Sequence, residues 1–523
     1  ELASGDITLP KFRAPYLDEQ LRQGSFLSVQ KGKSFRELIR NMKTVEDSDF
    51  EVPEKFQKVL REYQKTGYLW LETLCQNGFG GILADDMGLG KTLQVIVFLY
   101  AHYIERQETH KNTLIVCPAS LVYNWEREIH HFAPELTVYT VAGNVEERKS
   151  VLEHHQKGAI FITSYDLLRR DIELYQQLTF AYQIIDEAQF IKNATTKAAK
   201  AVKQIASDFR IALTGTPVEN HLGELWSIFD YLMPGYLYSY KRFHVTFEIP
   251  IVQIGNPAAL ERLQKLIAPF VLRRLKKDVL KDLPEKLEKN MFTPLTGEQE
   301  DLYRAHVQRL EVLLSKQSQE EFNQSKIEIL AELTKLRQLC CDPALLYENY
   351  QAGSAKLDLC LELVQNAISG GHKILIFSQF TTMLDGIAER LKQENIPYYV
   401  LKGSTPKQER MQLVTAFNQD ETPVFLISLK AGGTGLNLTA ADIVIHYDPW
   451  WNTAVQNQAT DRAHRIGQKN KVLVYRLIAQ NTIEEKILRL QEKKAQLADQ
   501  ILGGETTKNP AFSREELLAL LQD

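Results

Sequence analysis

A chain of 523 residues with 44% hydrophobic and 24% charged residues has an ordinary globular composition. It is long enough for several domains, on a soft prior of ~150 residues each. The net charge of −4 excludes a global basic field for nucleic acid but leaves room for a local basic groove. Five cysteines with no C-x-x-C spacing speak against a zinc ribbon or disulfide scaffold and suit a reducing cytoplasm.

The chain begins at Glu1, shows no charged-then-apolar leader, and has no apolar run near the ~20 residues a bilayer span requires. The expectation is a piece of a longer protein that does not cross a membrane. Residues 1–50 are mixed, with an exposed turn at Lys31-Gly32-Lys33. From Leu60 to Leu71, apolar residues recur at helical spacing. Gln64 on that helix is either an adenine reader, since an amide can donate and accept at a base edge, or a solvent-facing residue.

Gly81–Ala84 and Leu93–Leu99 are apolar runs flanking Asp85-Asp86-Met87-Gly88-Leu89-Gly90-Lys91-Thr92. Strand, glycine turn and helix in that order aim backbone N–H groups at an anion. Gly88 and Gly90 shape the turn, Lys91 can reach the β/γ-phosphates, and the Thr92 hydroxyl can bind Mg²⁺. The strict phosphate-loop pattern wants Gly at Asp85.

Further apolar runs follow at 113–117, 159–163, 183–185 and 210–213. They are continuous, as in parallel strands covered on both faces. From 218 to 353 the pattern gives way to helix-rich, charged sequence with a basic run at Arg273-Arg274-Leu275-Lys276-Lys277. That run is either a solvated helix face or a phosphate contact. Strand-like runs return at 373–377, 398–401, 424–428, 443–446 and 472–475, and a helical, charged tail runs from Thr482 to Gly503.

Asp186-Glu187 closes the 183–185 run, where Asp186 can hold Mg²⁺ and Glu187 can orient and deprotonate a water. Thr214-Gly215-Thr216-Pro217 either senses the γ-phosphate or is a plain turn. Gln458, Arg462 and Arg465 are spaced to share one helix face. Arginines there could neutralise transition-state charge in phosphoryl transfer.

These motifs, in this order over roughly residues 50–490, resemble the Swi/Snf-type remodeller ATPases of helicase superfamily two, in a bacterial-like form. Tyr63-Gln64 looks like the family's adenine-side motif, and its phosphate loop also lacks the first Gly. Pro118 to Trp125 and Ile162 to Tyr165 look like DNA-facing motifs of the first lobe. Asp186-Glu187-Ala188-Gln189 departs from the commoner ending in His. Ser428 to Leu438, including Gly435, and the Gln458–Gln468 stretch look like second-lobe motifs, with Gly435, Gln458, Arg462 and Arg465 on the nucleotide.

The resemblance implies an α/β fold of two RecA-like parallel-sheet lobes, with helical insertions between them and a C-terminal helical brace. The ranges are 1–50 for an N-terminal extension, 51–235 for lobe 1, 236–353 for insertions and linker, 354–480 for lobe 2, and 481–523 for the brace and tail. It also implies a monomeric, cytoplasmic, nucleoid-associated motor (nuclear if eukaryotic). That motor would use ATP and Mg²⁺ to step along double-stranded DNA without separating strands and to displace an unidentified DNA-bound protein. Ser120, Asn124, Lys402, Ser428 and Lys430, in loops after strands, are candidate phosphate contacts. Trp450 sits either against the duplex or in a core. The rival readings are a strand-separating helicase and a nucleotide-gated binding module with little turnover.

Overall fold

Each strand-like apolar run becomes a parallel strand, most of them buried, while the Leu93–Leu99 run becomes a helix. The computed structural model describes residues 50–489 except 216–221, 281–282, 316–325, 433–435, 451–452 and 466, together with parts of 11–39. The chain divides into two compact units, one running to Lys281 and the other starting at Asp282.

The first unit holds β1 (Gly81–Leu83), β2 (Asn112–Cys117), β3 (Val138–Thr140), β4 (Ile160–Ser164), β5 (Phe180–Asp186), β6 (Ser207–Leu213) and β7 (Val271–Leu272). They form one seven-stranded sheet in the order β3-β4-β2-β5-β6-β1-β7, and every pairing is parallel. The central strands β1, β2, β4 and β5 are buried throughout. Register places Asp186 beside Leu213 and Leu83 beside Leu213. The carboxyl ends of β5, β6 and β1 are therefore adjacent, where ligands bind in sheets of this kind.

The second unit holds β8 (Lys286–Pro294), β9 (Ile374–Ser378), β10 (Tyr398–Leu401), β11 (Val424–Ser428), β12 (Ile443–His446) and β13 (Val472–Gln480). Its six-stranded sheet runs β10-β11-β9-β12-β13-β8, again parallel. Both faces are covered. Ile374, Ile376, Leu426 and Ile445 point into one core, and Leu375, Phe377, Phe425 and Val444 into the other. This two-sided burial is why the strands read as unbroken apolar runs.

Three strands escape the sequence pattern. β3 and β7 are two or three residues long and half-buried. β8 lies within the stretch read as helical insertion, yet pairs with β13 along all nine of its residues. Its sequence, Lys-Leu-Glu-Lys-Asn-Met-Phe-Thr-Pro, is polar because it is an exposed edge strand. The same stretch does supply helices. Glu298–Ser315 and Lys326–Cys341 pack through Leu310, Leu314, Leu336 and Leu339 in one apolar cluster with Ile483 and Ile487. The described part of the tail is helical over 483–489, and the Gly503 end lies outside the described residues. Among the described residues no helix is long and apolar enough to cross a membrane.

Candidate nucleotide site and its partners

The helix Lys91–Tyr100 follows β1 through the glycine turn, and its N-cap, Gly90, provides no side-chain cap. The first-turn N–H groups are left for an anion, as a phosphate site requires. Gly88 and Gly90 both take left-handed backbone conformations, φ 84° and 78°. A Cβ on Gly90 would stand 2.4 Å from Gln64 Nε2. That closeness follows from Gln64 itself, which is buried and donates to the Leu89 carbonyl at 3.0 Å while Arg61 N–H donates to its oxygen. Tyr63 OH donates to the same Leu89 carbonyl. Gln64 is thus not solvent-facing. Its amide N–H braces the loop, while its oxygen caps the N-terminus of its own helix. Lys91 Nζ donates to the Asp85 carbonyl at 2.6 Å, and Thr92 is half-buried in the first helical turn.

Asp85, standing where the generic pattern has Gly, is fully buried, and Arg274 answers its charge. Arg274 Nε donates to Asp85 Oδ1 at 2.8 Å, a second N–H reaches Oδ2, and Nη2 donates to Gln94 Oε1 at 2.8 Å. Asp86 Oδ2 accepts from the Lys276 N–H at 2.9 Å. Within the basic run Lys277 is exposed, whereas Arg274 is turned onto Asp85 and Gln94. Arg274 is a latch on the back of the phosphate loop.

At the end of β5, Asp186 Oδ1 accepts the Glu187 N–H at 2.8 Å, and Oδ2 accepts the Trp125 indole N–H at 2.9 Å. Burial, then the neighbouring Glu187 charge, pushes the Asp186 carboxyl up to about 7. A buried carboxylate beside a second one, each of its oxygens accepting a single hydrogen bond, is a donor that suits a cation. Glu187 itself has left-handed backbone, φ 52°. For a non-glycine residue this costs on the order of 1–3 kcal/mol, and such strain clusters at functional sites. Glu187 Oε2 accepts from Gln189 Nε2 at 2.7 Å, and Gln189 Oε1 accepts from the Thr214 hydroxyl at 3.0 Å. Thr214 N–H in turn donates to the Leu83 carbonyl. One hydrogen-bond chain thus joins the carboxylate, Gln189 and the end of β6. Sequence reasoning found the carboxylates but not the roles of Gln189, Arg274 and Trp125. The one available signal was the acidic residue at 85, which demands a partner. Thr216 and Pro217 lie outside the described residues.

In the second unit the helix Thr453–Thr460 carries Gln458 and stops before the arginines. Arg462 and Arg465 stand on the turn that follows, not on one helix face with Gln458. The turn is tied down from within. Leu438 N–H donates to the Arg462 carbonyl, Arg465 Nη1 donates to the Leu436 carbonyl, and the Gln468 amide donates to the Ala441 and Ala463 carbonyls. Local bonds continue into the turn, with Asp461 N–H donating to the Asn457 carbonyl and His464 N–H to the Thr460 carbonyl, and the longer bonds join it to the segment after β11. Arg462 is buried and Arg465 half-buried. Burial lowers His446 to about 3, so it is neutral, and it pairs with the Thr460 hydroxyl at 2.8 Å. Gly435 lies outside the described residues.

Of the candidate phosphate contacts, Ser120 sits half-buried in the turn after β2. Asn124 bonds Glu128 and Arg127, and Lys402 pairs with Asp385 at 2.5 Å. Ser428 is buried, with its hydroxyl accepting from Ala431 N–H. The Lys430 side chain lies outside the described residues. Trp450 packs against the core below β12, and the Arg337 guanidinium lies 5.7 Å from its ring.

The family model described as SNF2-related domain matches residues 63–345, and that of the helicase conserved C-terminal domain matches 355–467. A third, bacterial SNF2 helicase associated, matches 1–53. The putative ATP-dependent helicase/translocase YwqA of Bacillus subtilis is 43% identical over 502 residues, 93% of this chain and 54% of that protein. An uncharacterized ATP-dependent helicase of Mycoplasma pneumoniae is 40% identical over 92% of this chain and 46% of its own length. The TATA-binding protein-associated factor MOT1 of Saccharomyces cerevisiae is 36% identical over 90% of this chain and 29% of its own. The chain thus spans about half the length of its bacterial relatives. Among solved structures, the Sulfolobus solfataricus SWI2/SNF2 ATPase core in complex with dsDNA is 38% identical, covering 87% of this chain and 96% of that one, with a TM-score of 0.44.

Proposed function

Because this chain belongs to the SNF2-related family of Swi/Snf-type ATPases, we propose that it hydrolyses ATP under control of double-stranded DNA. We further propose that it steps along the duplex without separating the strands and so displaces or repositions a DNA-bound protein. The supporting observation is the joined set of Asp186, Glu187, Gln189 and Thr214 at the carboxyl ends of β5 and β6, hydrogen-bonded onto the strand that feeds the phosphate loop. Lys91 and the bare helix N-terminus take the phosphates. Thr92 and Asp186 would hold Mg²⁺, which when bound would neutralise phosphate charge. Glu187 accepts the proton of the attacking water, with Gln189 fixing its rotamer. Arg462 and Arg465 neutralise charge on the transferring phosphoryl group. Ser120, Asn124, Lys402, Ser428, Lys430 and Trp450 are the proposed duplex contacts. The motor acts as a monomer in the cytoplasm, on the nucleoid.

Steady-state ATP hydrolysis with no DNA, with single strands and with duplex tests the reading. Stimulation by duplex beyond that by single strands is expected, with release of a triplex-forming third strand but no unwinding of a forked duplex. ATP-driven fork unwinding would favour the strand-separating alternative, and a rate indifferent to DNA would overturn the proposal.

A further inference from the structure

Trp125 lies on the helix Val122–Phe132, which follows β2, and is only 1% exposed. A buried indole needs an acceptor, and many backbone carbonyls would serve. This one donates to Asp186 Oδ2, 61 residues away in the chain. With the Glu187 N–H on Oδ1, each carboxylate oxygen carries one donor. The carboxylate plane is fixed, and each oxygen keeps a lone pair for a cation or its water. The residue is gripped once more behind the carboxylate. The buried Tyr165 hydroxyl, just after β4, donates to the Asp186 carbonyl at 2.7 Å, and its ring stacks on Phe190 with centroids 5.1 Å apart.

We propose that Trp125 is a positioning residue whose indole N–H holds the Asp186 carboxylate in the orientation that receives Mg²⁺ with the nucleotide. The inference rests on the assignment of Asp186 as a Mg²⁺ ligand. Hydrogen bonds to metal-ligating carboxylates orient them, and losing such a partner typically costs ~10–100-fold in metal affinity. The helix bearing Trp125 starts just after the turn containing Ser120.

The test is equilibrium binding of a fluorescent ATP analogue across a Mg²⁺ series, in wild type, Trp125→Phe, Asp186→Asn and the double variant. Trp226→Phe, the same change at an indole that donates to the Tyr238 carbonyl, is the control. Trp125→Phe should bind the analogue in EDTA within about twofold of wild type but need ~10-fold more Mg²⁺ for half-saturation. That Mg²⁺ effect should vanish in the Asp186→Asn background. An unchanged Mg²⁺ requirement, or an equal effect with Asp186 already altered, overturns the inference. If wild-type binding itself ignores Mg²⁺, the assignment of Asp186 fails instead. Should Trp125→Phe not fold, ¹⁵N-tryptophan labelling of wild type gives five indole signals, assigned by Trp→Phe changes at the other four. The Trp125 signal should move on adding Mg²⁺ to the ADP complex, and a stationary signal overturns the proposal.

Discussion

On the proposed role, Glu187 serves chemistry and not binding. Its left-handed backbone and its bond to Gln189 hold its carboxylate next to Asp186 in the chain. Glu187→Gln should therefore keep ATP affinity and lose turnover by ~10²–10⁴, the usual worth of a general base. Arg465→Ala should cut turnover by ~10³ at near-normal affinity. Single-turnover hydrolysis beside nucleotide binding checks both, and losses under tenfold would count against these roles. Asp186 gives a pH dependence. Its carboxyl is raised to about 7, so it holds its proton more tightly folded than unfolded. The stability this contributes is fully present below the unfolded value of ~3.9 and is lost as pH rises through about 7. Mg²⁺ must displace that proton, so half-saturation of ADP binding by Mg²⁺ should need ~10-fold more metal at pH 6 than at pH 8. A flat profile between those values would be inconsistent with the raised carboxyl.

At the level of elements, the segment from β7 to Lys276 latches the phosphate loop. β7 pairs with β1, and Asp86 N–H donates to the Arg274 carbonyl. The Asp85–Arg274 pair closes the latch, with Asp85 fully buried and Arg274 nearly so. Removing one partner leaves an uncompensated buried charge, typically at a cost of ~3–5 kcal/mol. Arg274→Met should lower the urea midpoint accordingly. Asp85→Asn added to it should recover part of the loss, and full additivity of the two changes would argue against the pairing. The second unit has a comparable fastening. Lys356 and Glu484 form a fully buried ion pair, and Glu484 also accepts the Ala479 N–H. The start of the tail helix is thereby pinned to the start of the Ala355–Ser369 helix.

For the whole molecule, the position of β8 bears on where the chain can be divided. A fragment beginning at 354 would leave the β13 edge bare and discard the helices that cover Ile483 and Ile487. A fragment beginning at 282 retains both. The longer fragment should unfold cooperatively in urea, and the shorter one should aggregate or melt without a sharp transition. Two equally cooperative fragments would show β8 to be dispensable.

What the amino-acid order determined alone was whatever is written in local pattern. Both parallel sheets were legible because two-sided burial demands unbroken apolar strands. The phosphate loop and the two carboxylates were legible because their chemistry needs fixed spacing on one short segment. The edge strand β8 was hidden because an exposed edge has no apolar signature. The arginine turn was misread as a helix face because the regular helix ends at Thr460 and the turn beyond it is also held to residues 436–441. The partners of buried charge belonged to tertiary structure alone. Nothing near Asp85 announces Arg274, 189 residues away, and nothing near Asp186 announces Trp125. A buried carboxylate must be satisfied, but which donor does so is decided by the segments that packing brings alongside it.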